Sequence, residues 1–205
     1  MAAPASLPQR VFMLAYDPDK GRVRFVITLG ATLRAAALAD LYVSGHLADE
    51  RDRPAVKGRR PCDDPVLDAL LDEIAGSKPR SWQSWISRRQ RATVGAVRQQ
   101  LSDGGWARLE PRRFLGLFPT TRVTMRDPRA RKELVRLVSG ALRDPIGRVD
   151  PRDAALVAIL STGNVSLVLD RRTRATNKRR IEELTRLTGP IAPALRTWMQ
   201  NAEVG

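Results

Sequence analysis

Apolar residues recur at helical spacing along most of the chain, and turn sequences separate the segments. Residues 6–16, SLPQRVFMLAY, show this spacing and stop at DPDKG, where proline and glycine favour a turn. Residues 26–47, VITLGATLRAAALADLYVSGHL, repeat the pattern and end near Gly45 as a C-cap. This second segment predicts a central, largely buried helix with its apolar positions at Ile27, Leu33, Ala37, Leu38 and Leu41.

The rest of the chain predicts further helices and one hairpin. Residues 46–63 are polar and contain two prolines, so we expect an irregular or weakly stranded loop there. Residues 104–125, GGWARLEPRRFLGLFPTTRVTM, predict a two-stranded hairpin. Helices are predicted in residues 63–78, 79–89, 91–105, 127–144, 150–165, 176–189 and 190–202. The expected fold is mainly α, a single compact multi-helix domain over residues 1–205 with a protruding β-hairpin and a short N-terminal tail, residues 1–6.

Composition narrows the function. The chain has 36 basic and 22 acidic residues, a net charge of +14, so its partners should be polyanions such as phospholipid or nucleic acid. With only one cysteine and one histidine, the chain offers few groups for metal binding or catalysis, and we expect no cofactor, no metal and no enzymatic activity. No apolar run is long enough to span a bilayer and no secretory signal is visible, which predicts a cytoplasmic protein.

Arg34 is the most unusual cation, because it lies in an Ala- and Leu-rich helix where an unpaired charge would be costly. Either a carboxylate, such as Asp40 or one from another helix, or an anionic ligand should neutralise it. A second group, Arg88, Arg91 and Arg98, shares one stripe if residues 88–98 form a single helix. This stripe is either a solvated face or a positive ridge that binds anions.

The hairpin tip is apolar. Phe114, Leu115, Leu117 and Phe118 follow one another so closely that alternation cannot bury them all on one face. A helix followed by a hairpin also fits a winged-helix nucleic-acid-binding protein, but a DNA-binding wing usually has a polar and basic tip. An apolar tip above a basic base instead favours contact with an anionic bilayer or with a second subunit, and makes nucleic acid an unlikely partner. The basic residues at the base are Arg112, Arg113 and Arg122.

The order of these segments resembles the Golgi phosphoprotein 3 family over nearly the whole chain, and the composition is typical of a bacterial member. The motifs are TLRAAALADLYVSGHL, DDPVLDALLDEI, SWQSWI, VRQQLSDGGWARLE, RRFLGLFPTTRVTM, DPRDAALVAIL and NKRRIEEL. The resemblance implies a non-enzymatic peripheral membrane protein that binds the headgroup of phosphatidylinositol 4-phosphate. It also implies an adaptor for client proteins and a hairpin used in membrane contact and homo-oligomerisation.

The resemblance also implies site residues. The family's pocket arginine on the central helix matches Arg34, and the first arginine of its spaced pair matches Arg91. Phe25 stands where the family has a pocket tryptophan, and Val94 stands at the second arginine of the pair. The expected lipid headgroup site is Phe25, Arg34, Arg91 and Arg88, on a protein peripheral to the cytoplasmic face of a membrane.

Overall fold

The chain is mainly α-helical, as the sequence predicts. A computed structural model describes residues 4–24, 26–58, 60–114 and 118–204. Within these residues the helices are α1 Leu7–Ala15, α2 Val26–Val43, α3 Pro65–Ala75, α4 Trp82–Ser87, α5 Gln90–Asp103, α6 Pro128–Arg143, α7 Pro151–Thr162, α8 Arg171–Thr176, α9 Lys178–Arg186 and α10 Ile191–Val204, with a 3-10 turn at Ile146–Arg148. The strands are β1 Tyr16–Asp17, β2 Arg22–Val23, β3 Leu47–Asp49, β4 Pro54–Val56, β5 Ala107–Phe114 and β6 Phe118–Met125, paired in sequence order and antiparallel. No helix in the described part of the chain combines the length and apolarity needed to cross a bilayer.

Three helices begin at an Asp-Pro pair, and the aspartate caps each of them. Asp64 accepts hydrogen bonds from the backbone N–H groups of Val66 and Leu67 at 2.9 and 3.0 Å. Asp127 and Asp150 act in the same way at α6 and α7, each accepting from the residue two positions later. Because proline fits the first helical turn and the carboxylate satisfies a free N–H, this local sequence defines where each helix starts.

The core is built around α2 and α7, which pack against each other. In α7 every side chain from Ala154 to Leu160 is fully buried, and α2 contacts α1, α3, α4, α5, α7 and α10. The two helices are antiparallel: Asp40 in α2 bonds Arg152 at the start of α7. At the other end, a methyl group on Gly163 would lie 2.6 Å from Thr32 Cγ2.

The start of α2 therefore lies beside the end of α7, and it also lies beside the start of α5. A methyl group on Gly30 would lie only 2.6 Å from Gln90 Cβ, so these two first turns are in direct contact and Gly30 permits the approach. We call this region, where α2 and α5 begin and α7 ends, the amino end of the core.

The predicted hairpin is confirmed. Its register runs from Ala107 opposite Met125 to Phe114 opposite Phe118, and β5 packs against α5 while β6 contacts β2. Leu115 and Leu117 lie outside the described residues, and of Phe114 and Phe118 the structure describes the backbone pairing. The role predicted for these four residues stays a prediction.

Three expectations from the sequence were wrong. Ile27 is 89% exposed rather than part of the buried face of α2, because it lies in the first turn, beyond the helices that cover the rest of α2. Arg88 follows the end of α4 rather than continuing α5, since Arg89 has a left-handed backbone conformation, φ 46°, that separates the two helices. Five α-helices follow the hairpin instead of four, because α8 forms in the Arg-rich residues before α9.

Candidate functional site

Arg34 is neutralised by a carboxylate from another helix. Its side chain is 5% exposed, and Nη2 lies 3.2 Å from Oε2 of Glu73 in α3. Its Nε donates a hydrogen bond to the backbone oxygen of Trp85 at 3.2 Å. Burial lowers the pKa of Arg34, and Glu73 opposes that shift. Asp40 is not the partner, because its two oxygens accept from Arg152 Nε and the Leu7 backbone N–H.

Glu73 lies within ion-pair distance of three arginines. Its Oε1 lies 3.4 Å from Arg88 Nε and 3.5 Å from Arg89 Nε, in addition to the bond from Arg34. The Arg88 guanidinium also stacks over the Trp85 ring, 5.7 Å from its centroid. One carboxylate cannot balance three guanidinium groups, so this cluster keeps an excess of positive charge. Arg88 and Arg89, 37% and 67% exposed, present that charge to solvent.

A cleft of about 530 Å³ opens at the amino end of the core, between the first turns of α2 and α5. Ile27, almost fully exposed, stands at its edge. An exposed isoleucine beside cations gives this surface an apolar and a charged part, as a surface that contacts an amphiphile requires. The lining residues are Ile27, Leu29, Gly30, Gln90, Arg91, Val94 and Arg98.

Backbone electrostatics add to the positive character of this cleft. The first N–H groups of a helix have no intrahelical acceptor and carry a partial positive charge. The N-cap residue of α5 is Arg89, whose side chain makes no capping hydrogen bond, and no other described side chain caps this helix. The start of α5 therefore offers free N–H donors at the cleft, an arrangement that favours phosphate and other anions.

Two arginines of α5 line the cleft, and neither pairs with a carboxylate among the described residues. Among the described residues no ion pair forms with Arg91, which is exposed. Arg98 is half-buried, and its Nε has no hydrogen-bond partner in the described part of the chain. Burial lowers the pKa of Arg98, and its guanidinium carbon lies 5.9 Å from the centroid of the Phe12 ring. A bound anion would offset the free-energy cost of desolvating the Arg98 guanidinium.

The site residues that the sequence predicts do not all line the cleft. Arg91 lines the cleft, whereas Arg34 and Arg88 belong to the Glu73 cluster, about one turn further along α2 from Gly30. Phe25 lies outside the described residues. Arg98 was predicted on the arginine stripe but was not one of the four predicted site residues, although its spacing of seven residues from Arg91 places both on one face of α5.

Comparison with known protein families assigns the chain to one of them. The family model described as Golgi phosphoprotein 3 (GPP34) matches residues 7–202, nearly the whole chain. No curated protein matches the chain.

Proposed function

The chain belongs to the Golgi phosphoprotein 3 family, and from this premise we propose that it is a peripheral membrane protein that holds an anionic phospholipid headgroup in the cleft between α2 and α5. By family resemblance the headgroup is that of phosphatidylinositol 4-phosphate. The protein acts as a binding adaptor for client proteins and not as an enzyme, and the hairpin tip contacts the membrane or a second subunit. The observation that carries the proposal is the meeting of Arg91, Arg98 and the uncapped start of α5 in one cleft.

The position of Ile27 favours a lipid over a soluble anion. Its side chain is 89% exposed at the edge of the cleft, and transferring it from water to the apolar part of a bilayer would contribute about 1.5–3 kcal/mol. A soluble phosphate would use the cations and leave this surface in water. A membrane-bound lipid contacts both the cations and the exposed isoleucine, since the bilayer interface lies directly behind the phosphate of its headgroup.

Arg98 supports a phosphate site despite the missing family arginine. Val94 occupies the position of the second arginine in the family pair, and Arg98 follows it by four residues, one turn along the same face of α5. Both residues line the cleft. A phosphomonoester carries close to two negative charges at neutral pH, which suits the pair Arg91 and Arg98 together with helix N–H donors.

Two measurements test the cleft. Calorimetric titration with soluble inositol 1,4-bisphosphate measures the headgroup site alone, and flotation on phosphatidylcholine vesicles with and without phosphatidylinositol 4-phosphate measures membrane binding. Hydrogen bonds to charged groups contribute about 1.5–3 kcal/mol each, so Arg91→Gln with Arg98→Gln should weaken both by roughly 100-fold or more. Arg91→Gln alone, at an exposed position, should preserve the melting temperature and still weaken binding at least about tenfold.

The matched control is Arg143→Gln with Arg148→Gln. Both arginines are exposed, and they border the start of α7, at the opposite end of that helix from the cleft. This pair should bind as the wild type does. Equal flotation on neutral and anionic vesicles, or cleft variants that behave like the control, would overturn the proposal. Binding to duplex DNA that survives excess nonspecific competitor would favour the nucleic-acid alternative.

A further inference from the structure

A second basic surface lies on α8 and the start of α9. Residues 170–180, DRRTRATNKRR, contain six basic residues and one acidic residue. Four of the cations are exposed, and the described residues form no ion pair with them. We call these four the α8 surface: Arg171, Arg172, Lys178 and Arg179.

The nearest carboxylates do not neutralise this surface. Asp170 caps α8 by accepting a hydrogen bond from the Thr173 backbone N–H at 2.7 Å, and Arg172 and Arg174 help to lower its pKa. Glu183, on α9, pairs with Arg180 at 3.3 Å. Glu182, also on α9, remains one turn from Lys178 and Arg179. Four exposed cations therefore stand against two nearby carboxylates that are not already in an ion pair, and the surface is net positive.

A contact with α7 places α8 at the amino end of the core, whereas Arg180 in the first turn of α9 bonds the backbone oxygens of Ala141 and Asp144 at the end of α6. Arg174 Nη1 donates to the backbone oxygen of Ser161, in the last turn of α7, at 3.4 Å. The end of α7 packs on Thr32 in α2, one turn or so from Ile27 and Gly30. The cleft lies between α2 and α5, whereas α8 bonds the end of α7. Ile27, at the start of α2, lies at the edge of the cleft.

From this placement we propose that the α8 surface is a second membrane contact, which binds the phosphates of bulk anionic phospholipid while the cleft holds its headgroup. The inference rests on the proposed function of the cleft. Two contacts at one end of the core fix which end faces the bilayer. Because the second binding event becomes intramolecular once the first has formed, the pair binds a vesicle more tightly than either contact alone.

A bilayer fits this surface better than a nucleic acid does. The α8 arginines share the amino end of the core with Ile27, whose exposed apolar side chain gains from a bilayer interface and has no counterpart on a phosphodiester backbone. The loop that leads into α8 also carries the partly exposed apolar residues Leu167 and Val168. Cations beside apolar side chains at one end of a helical core are the arrangement of an interfacial membrane site.

The test uses vesicles of phosphatidylcholine with phosphatidylglycerol and no phosphoinositide. The expected loss is roughly fivefold for each basic residue near an anionic bilayer, so Arg171→Gln with Arg172→Gln should reduce partition roughly 25-fold. The same variant should bind soluble inositol 1,4-bisphosphate as tightly as the wild type. Arg143→Gln with Arg148→Gln, the control pair near the start of α7, should change neither measurement, because Arg171 and Arg172 lie in the helix that bonds Ser161 at the other end of α7.

The outcomes separate the two proposals. If the α8 variant partitions onto phosphatidylglycerol vesicles as the control pair does, the second contact is wrong, whatever the cleft binds. If the wild type shows no binding of soluble inositol 1,4-bisphosphate, the cleft proposal fails, and a loss by the α8 variant on vesicles would then show a basic membrane surface without a headgroup site. If the α8 variant loses binding to duplex DNA but keeps vesicle binding, the surface is a nucleic-acid site and the inference is overturned.

Discussion

Replacing Glu73 by glutamine should destabilise the fold through Arg34. In the native protein the Glu73 carboxylate lies 3.2 Å from Arg34 Nη2, and the two side chains are 12% and 5% exposed. Glutamine retains the shape and one acceptor oxygen but removes the negative charge. Arg34 would then remain in the core between α2, α3 and α4 with two uncharged acceptors among the described residues, the glutamine oxygen and the backbone oxygen of Trp85.

The size of the stability loss follows from the burial of the Arg34–Glu73 ion pair. Removing one partner of a buried ion pair costs about 3–5 kcal/mol, because the other charge is left without compensation. The lower end of this range applies here, since Glu73 is partly exposed and the glutamine oxygen still accepts a hydrogen bond from Arg34. A loss of about 3 kcal/mol in a chain of this size corresponds to a fall in melting temperature of about 6–12 °C.

Thermal and urea unfolding followed by circular dichroism measure this loss, and Glu133→Gln is the control. Glu133 pairs with Arg136 at 2.8 Å on an exposed face of α6, so neutralising it should leave the melting temperature unchanged. Arg34→Met with Glu73→Leu should recover most of the stability, because a buried pair can be replaced by apolar side chains of similar size. If Glu73→Gln and Glu133→Gln have equal effects, the guanidinium of Arg34 is not held in the core by Glu73 and the reasoning fails.

Three further predictions concern Cys62 and the hairpin. Burial, with Asp68 nearby, raises the pKa of the Cys62 thiol to about 12 from 9.0, so iodoacetamide should alkylate it at least about 100-fold more slowly in the folded chain than in urea at mildly alkaline pH. Because the folded state holds this proton more tightly, stability should fall as pH rises above about 9, and the fall should be shallower in Cys62→Ser; equal slopes would contradict the shift. Phe114→Asp with Phe118→Asp should weaken vesicle flotation or self-association, since a charged tip cannot enter an apolar interface; unchanged flotation together with an unchanged mass by light scattering would rule out a role for the tip.

Local sequence rules predict most of this fold because its helices are strongly marked. Asp64, Asp127 and Asp150 each precede a proline and an apolar-periodic run, and each caps the helix predicted there. The sequence did not predict α8, and this has a physical reason. Its six residues include three arginines and no buried side chain, so no apolar periodicity marks the helix. The cap from Asp170 and the bond from Arg174 to Ser161 hold it, and the second of these is a tertiary contact.

The cleft could be predicted only in part, because it depends on two helix starts that meet in space. Periodicity assigned Ile27 to the buried face of α2, but burial at the first turn depends on which neighbouring helices reach it. Arg34 shows the same limit: its need for a negative partner was predictable, whereas the choice of Glu73 over Asp40 depends on how α3 packs. Since Glu73 already pairs with Arg34, we expect the cations that meet a headgroup directly to come from α5. Replacing Arg91 and Arg98 should then lower ligand affinity with little effect on stability. Replacing Arg34 should lower stability with little effect on ligand affinity.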